Sequence, residues 1–109
     1  MDTHEFRILS SDFFEHLDSA IGRLAVDGVE ARVYGPEVSI MFDSGSEIVL
    51  ARNDEFQRLT LRSAEGLTHY YFNETEEDWY AVGRETALLD DLSTALSTSA
   101  STSLHIEIA

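Results

Sequence analysis

Apolar residues at Phe6, Leu9, Phe13, Leu17, Ala20, Ile21 and Leu24 recur at steps of three and four. That period makes one stripe along a helix and predicts a helix over residues 4–25. Gly28 is its stop. Beyond it the period falls to two. Val29, Ala31 and Val33 share one side, with Glu30 and Arg32 on the other. Val38, Ile40 and Phe42 form the next strand, and Asp43-Ser44-Gly45-Ser46 is a hairpin turn in which Gly45 supplies positive φ. Ile48–Arg52 returns. Asn53-Asp54-Glu55 reads as a loop. Gln57–Ser63 turns Leu59 and Leu61 inward, Leu67–Asn73 is an aromatic strand, and Trp79–Val82 is a last short one with Trp79 in the core. Thr86–Leu96 returns to the helical period through Leu88, Leu89, Leu92 and Leu96.

The order is helix, six short strands, helix. Strands joined by tight turns make an antiparallel meander, and a meander with one apolar face needs a cover. The predicted fold is therefore α+β: a two-layer α/β sandwich with the N- and C-terminal helices on one face of a roughly six-stranded antiparallel sheet. Residues 1–109 read as one domain. Its Ser/Thr/Ala run 97–103 reads as a linker, and residues 104–109 as a tail whose Leu104, Ile106 and Ile108 want cover.

Charge changes the picture. The net charge is −14, from 21 acidic and 7 basic residues, and every basic one is Arg. Such a field repels phosphate backbones and anionic lipid, so no nucleic acid and no membrane surface is expected as a partner. With no Cys, disulfides, thiolate zinc sites and Cys-held iron–sulfur clusters are excluded. Residues 1–7 carry Asp2 and Glu5 and no apolar run, unlike a signal or transit peptide. A cytoplasmic monomer is expected.

No phosphate loop, nucleophile elbow or paired-His metal helix is present. The sequence gives no reason to expect an enzyme. The most specific feature is acidic. Asp12, Glu15 and Asp18 step by three along the first helix, opposite Phe13, Leu17 and Leu24, with Asp27 and outward-facing Glu30 just beyond. Carboxylates without Cys suit hard or borderline cations through oxygen. Taken alone, they read better as the solvated face of a helix than as a metal site. Glu74, Glu76, Glu77 and Asp78 form a second acidic group and read as a charged hairpin loop.

Several residues, in this order, carry a resemblance. Val38–Leu50 looks like an apolar strand, acidic Gly turn and returning strand; Arg52, His69-Tyr70, Trp79 after an acidic turn, and Glu85-Thr86 before a leucine-rich helix follow; Phe13-Phe14 and Leu17 precede them. Over roughly residues 5–97 the chain resembles the frataxin family, its bacterial CyaY branch above all. The resemblance implies a helix–sheet–helix sandwich. It also implies weak iron binding on an acidic ridge, here Asp12, Glu15, Asp18, Asp27 and Glu30. It implies cysteine desulfurase and an iron–sulfur scaffold protein as partners, with Arg52, Arg58 and Thr60 at the scaffold-facing positions. Where the family motif runs Asn-Arg-Gln, Pro, Gln and an exposed Trp, this chain has Ala51-Arg52-Asn53, Glu55, Arg58 and Thr60. A weak ferroxidase-like activity on the bound iron also belongs to what the resemblance implies. The rival expectation is a non-enzymatic acidic interaction module of the small secretion-chaperone kind, which would place a dimer-forming helix mid-chain.

Overall fold

The computed structural model describes residues 2–24, 27–64 and 66–100. Helix α1 (Thr3–Arg23) is followed by strands β1 (Val29–Tyr34), β2 (Glu37–Phe42), β3 (Glu47–Asn53), β4 (Arg58–Ser63), β5 (Gly66–Asn73) and β6 (Asp78–Ala81), then helix α2 (Leu88–Ala100). The six strands lie side by side in chain order, every neighbour antiparallel. The α+β sandwich expected from the pattern is the fold found. The described residues between Val29 and Ala81 hold strands and turns and no helix, which removes the feature on which the chaperone expectation depended.

Helix α1 starts where Asp2 caps it: its carboxylate accepts from the Glu5 amide at 2.8 Å. The buried line runs through Phe6, Ser10, Phe14, Leu17, Ala20 and Ile21, while Leu9, Phe13 and Leu24 are half-buried. The stripe is thus turned from the predicted one toward Phe14. A serine can lie on this line because the Ser10 hydroxyl donates to the Phe6 carbonyl at 2.9 Å, inside the helix.

At the far end of α1 the chain turns through Gly28, at φ +82°, whose carbonyl accepts from the Asp43 amide at 2.9 Å. A side chain here would displace the Asp43 carboxylate, 2.8 Å away, and the positive φ itself favours glycine.

The inner face of the sheet carries Val38, Ile40, Ile48, Leu50, Leu59, Leu61, Tyr70, Trp79 and Ala81, all buried against the helices. Trp79 is the hub of one end. Phe6 and Phe13 from α1 and Phe72 from β5 lie 6.0, 6.2 and 5.2 Å from it, centroid to centroid, in edge or tilted arrangements.

Helix α2 extends further than composition predicted. Ser97–Ala100 belongs to it and is not a linker. Ser97 and Thr98 donate back to the Ser93 and Thr94 carbonyls at 2.8 and 3.0 Å, which satisfies the hydroxyls within the helix, and Ala100 packs on the core. The remainder of the predicted linker and the 104–109 tail lie outside the described residues.

Helix α2 is tied to the sheet by a polar contact at its first turn. The Tyr70 hydroxyl donates to Asp91 Oδ2 at 2.6 Å, and Thr86 Oγ1 donates to the same oxygen at 2.8 Å. Burial, then the hydrogen bond to the carboxylate and its charge, push the Tyr70 phenol well above its ordinary pKa. Because the folded value lies above the unfolded one, this site's stability is fully present below about pH 10 and is lost as pH rises toward the folded value. Denaturant midpoints between about pH 9 and 12 should therefore fall with pH, and Tyr70→Phe should flatten that fall. An unchanged alkaline slope in the variant would assign the effect elsewhere.

Candidate acidic and sheet-face sites

Helical spacing puts Asp12, Glu15 and Asp18 on the solvent side of α1, and all three are exposed. Among the described residues no ion pair engages them. Ile8, half exposed, lies on the same side of the helix. The other two members of the predicted group differ. Asp27 is exposed in the turn before β1. Glu30 projects from the outer face of β1, but its carboxylate is paired with Arg32 at 3.1 Å. An incoming cation would have to compete with that guanidinium. Among the described residues, no three His, Cys, Asp or Glu side chains gather closely enough to hold a metal ion. The carboxylates form a charged surface and not a chelating pocket.

The two acidic groups of the sequence approach each other at Asp12. Asp12 and His16 of α1 line a groove of about 360 Å³ together with Glu77 of the β5–β6 turn and Asp78 at the start of β6, and with Trp79 and Leu89. The turn that presents Glu77 is built by Asn73, whose side-chain oxygen accepts from the Thr75 and Glu76 amides at 3.0 and 3.1 Å.

The three sheet residues singled out by sequence fall on different faces. Arg58 and Thr60 lie on the outer face of β4, and Thr60 Oγ1 is 3.0 Å from His69 Nδ1 on β5. Tyr71 and Tyr80, opposite each other in register, extend this face, and the Tyr71 hydroxyl donates to Glu85 at 3.2 Å. Burial, and then Glu85, hold the Tyr71 phenol above its ordinary pKa.

Arg52 is not part of that face. It stands opposite Leu59 in the β3–β4 register, on the helix side of the sheet, with its side chain 16% exposed. Its guanidinium pairs with Asp54 at 2.8 Å. Asp54 in turn accepts from both Nε and Nη2 of Arg7, at 3.2 and 3.1 Å. One carboxylate from the β3–β4 turn thus clamps strand β3 to helix α1. The signal was present in the sequence: Ile48, Leu50 and Arg52 share one parity, so Arg52 follows its apolar neighbours inward.

The chain matches the frataxin-like domain over residues 1–102.

The chain belongs to the frataxin family.

Its fold superposes on that of the frataxin from Psychromonas ingrahamii, a protein described as a model for stability modulation within the CyaY family, with a TM-score of 0.87. The match covers 96% of this chain and 97% of that one at 18% identity, so it speaks for the fold alone. Membership gives this frataxin the family's general role in iron and iron–sulfur cluster assembly. Among the described residues no helix is long and apolar enough to cross a membrane.

Proposed function

We propose that this frataxin is a non-catalytic accessory protein of iron–sulfur cluster assembly that holds iron as loosely bound cargo on exposed carboxylates. The observation that carries the reading is the family match over residues 1–102. The acidic side of α1 supports it in detail. Asp12, Glu15 and Asp18 offer hard oxygen donors with no competing cation among the described residues. Among the described residues nothing orders them into a multidentate site, so each ion is held through few direct bonds and exchanges readily. That suits a carrier or a regulator, which must release its ion.

The same surface would meet a basic groove on a cysteine desulfurase. The partner contact would be electrostatic, fast to form and weakened by salt. The outer sheet face, with Arg58, Thr60, Tyr71 and Tyr80, is the surface left for the scaffold protein. Arg52 acts from inside, by fixing the β3–β4 turn at the end of that face.

An anaerobic Fe²⁺ titration followed by ¹⁵N NMR tests the iron reading. Selective broadening at Asp12, Glu15 and Asp18 is expected, with less at Glu30, whose carboxylate is engaged by Arg32. The E15K/D18K variant should lose the localised response while keeping the fold. Wild-type iron affinity in that variant, or uniform weak broadening over every acidic loop, would remove the ridge from the mechanism.

A further inference from the structure

Strand β1 is an edge. It pairs with β2 on one side, and among the described residues no strand lies on its other side. Exposed edges are templates for another strand, and proteins often guard them with charge. This one carries Glu30 and Arg32, opposite charges two residues apart on the outer face, between Val29, Ala31 and Val33 on the inner face. Val33 is 44% exposed and Tyr34 49% exposed, so the end of the strand is poorly covered.

Backbone direction follows from the hydrogen bonds at the foot of β1. The Gly28 carbonyl points toward β2, where it accepts from the Asp43 amide. The Phe42 amide points the other way, donating to the Ser46 carbonyl at 3.0 Å. Val29, which faces Phe42 in register, therefore turns its own amide and carbonyl to the open side. By alternation Ala31 and Val33 do the same.

We propose that two copies of this frataxin join antiparallel through β1, with Ala31 on the two-fold axis. In that register Val29 faces the partner's Val33, Ala31 faces the partner's Ala31, and Val33 faces the partner's Val29. Each of these residues has its outward amide and carbonyl, so each pair exchanges two hydrogen bonds. On the outer face Glu30 meets the partner's Arg32 and Arg32 meets the partner's Glu30. Tyr34 falls opposite the partner's Gly28, which has no side chain to obstruct it. Shifting the axis to Glu30 or to Arg32 sets like charges against each other at the centre. The charged pair thus selects one register and opposes its neighbours.

Net charge works against association, since each copy carries −14. Long-range repulsion is screened as the Debye length falls from about 10 Å at 0.1 M salt to about 3 Å at 1 M. The backbone pairs and the valine contacts between copies are not weakened in this way. Dimer formation should therefore strengthen with salt, opposite to the salt dependence of a partner held by the acidic face.

Sedimentation velocity on the full chain, from about 0.05 to 1 M NaCl, is the test. Wild type is expected to move from monomer to dimer as salt rises. R32E sets glutamates against each other twice and should weaken the dimer on the order of tenfold or more. E30R separates register from net charge. It relieves overall repulsion, from −14 to −12, yet sets arginines against each other, and should weaken the dimer as well. The double variant E30R/R32E keeps the net charge and swaps the pair, and should restore wild-type association. Both side chains are more than half exposed, so folding is expected to persist, and circular dichroism checks it. A monomer at every salt concentration, a dimer strengthened by E30R, or no recovery in the double variant overturns the proposal.

Discussion

Replacing Trp79 with Ala is expected to lower the stability of this frataxin by about 3–5 kcal/mol. The ring is 2% exposed and touches Phe6, Phe13 and Phe72. Its removal forfeits transfer free energy and leaves a cavity that three rigid aromatic neighbours cannot close. A domain of this size has only about 5–15 kcal/mol in total, so the variant should sit near its unfolding threshold. Its thermal midpoint should drop by roughly 15 °C or more. Trp79→Phe, which keeps part of the volume, should cost clearly less. The effect reaches the proposed iron-holding surface because Phe6 and Phe13 belong to the helix that displays Asp12, Glu15 and Asp18. In a variant that still folds, amide exchange should speed up first along α1. A loss below about 1 kcal/mol would show that the aromatic cluster does not anchor the helix.

Asp54→Ala is expected to cost about 1–3 kcal/mol, the second largest single effect. It leaves the mostly buried Arg52 guanidinium without a counter-charge and frees Arg7 from the β3–β4 turn. The Arg7 side of the clamp is more than half exposed, so Arg7→Ala alone should cost only a few tenths of a kcal/mol. The inner pair can be isolated by a double-mutant cycle on Arg52 and Asp54 with denaturant midpoints. A coupling of about 1 kcal/mol or more is expected there. If Asp54→Ala falls within about 0.5 kcal/mol of wild type, the clamp is ornamental and the turn is held by other contacts.

The clamp also bears on the sheet-face surface. Arg58 begins the strand that follows this turn, and Thr60 lies two residues on, both on the outer face. A loosened turn should therefore disturb the outer face without altering any residue on it. Arg52 lies on the helix side of the sheet, away from the outer face, where it is paired with Asp54. With its side chain 16% exposed, that internal pair accounts for its placement.

Much of the architecture was legible in the chain because it depends on local period. Alternation in β2, β3 and β4 needs only backbone geometry to assign Val38, Ile40, Leu50, Leu59 and Leu61 to one face, and the structure buries all of them. The solvent side of α1 follows in the same way from helical spacing, so Asp12, Glu15 and Asp18 were readable as one exposed row. Two departures came from polar groups that satisfy themselves within a helix. Ser10 lies on the buried line of α1, and Ser97 and Thr98 continue α2, because each hydroxyl bonds to a carbonyl one turn back. Composition alone counts such residues as polar and cannot see that bond.

What the sequence by itself determined, then, is the set of elements, their faces and the sign of the surface, since each arises from neighbours within a few residues. Only the tertiary structure decided which distant groups meet. Asp54 reaches Arg7 across 47 positions, Tyr70 reaches Asp91 across 21, and Glu77 and Asp78 come to share a groove with Asp12 and His16. Those meetings are set by how the helices cross the sheet. That crossing depends on the packing of bulky rings around Trp79, a property of the whole core that no local period encodes.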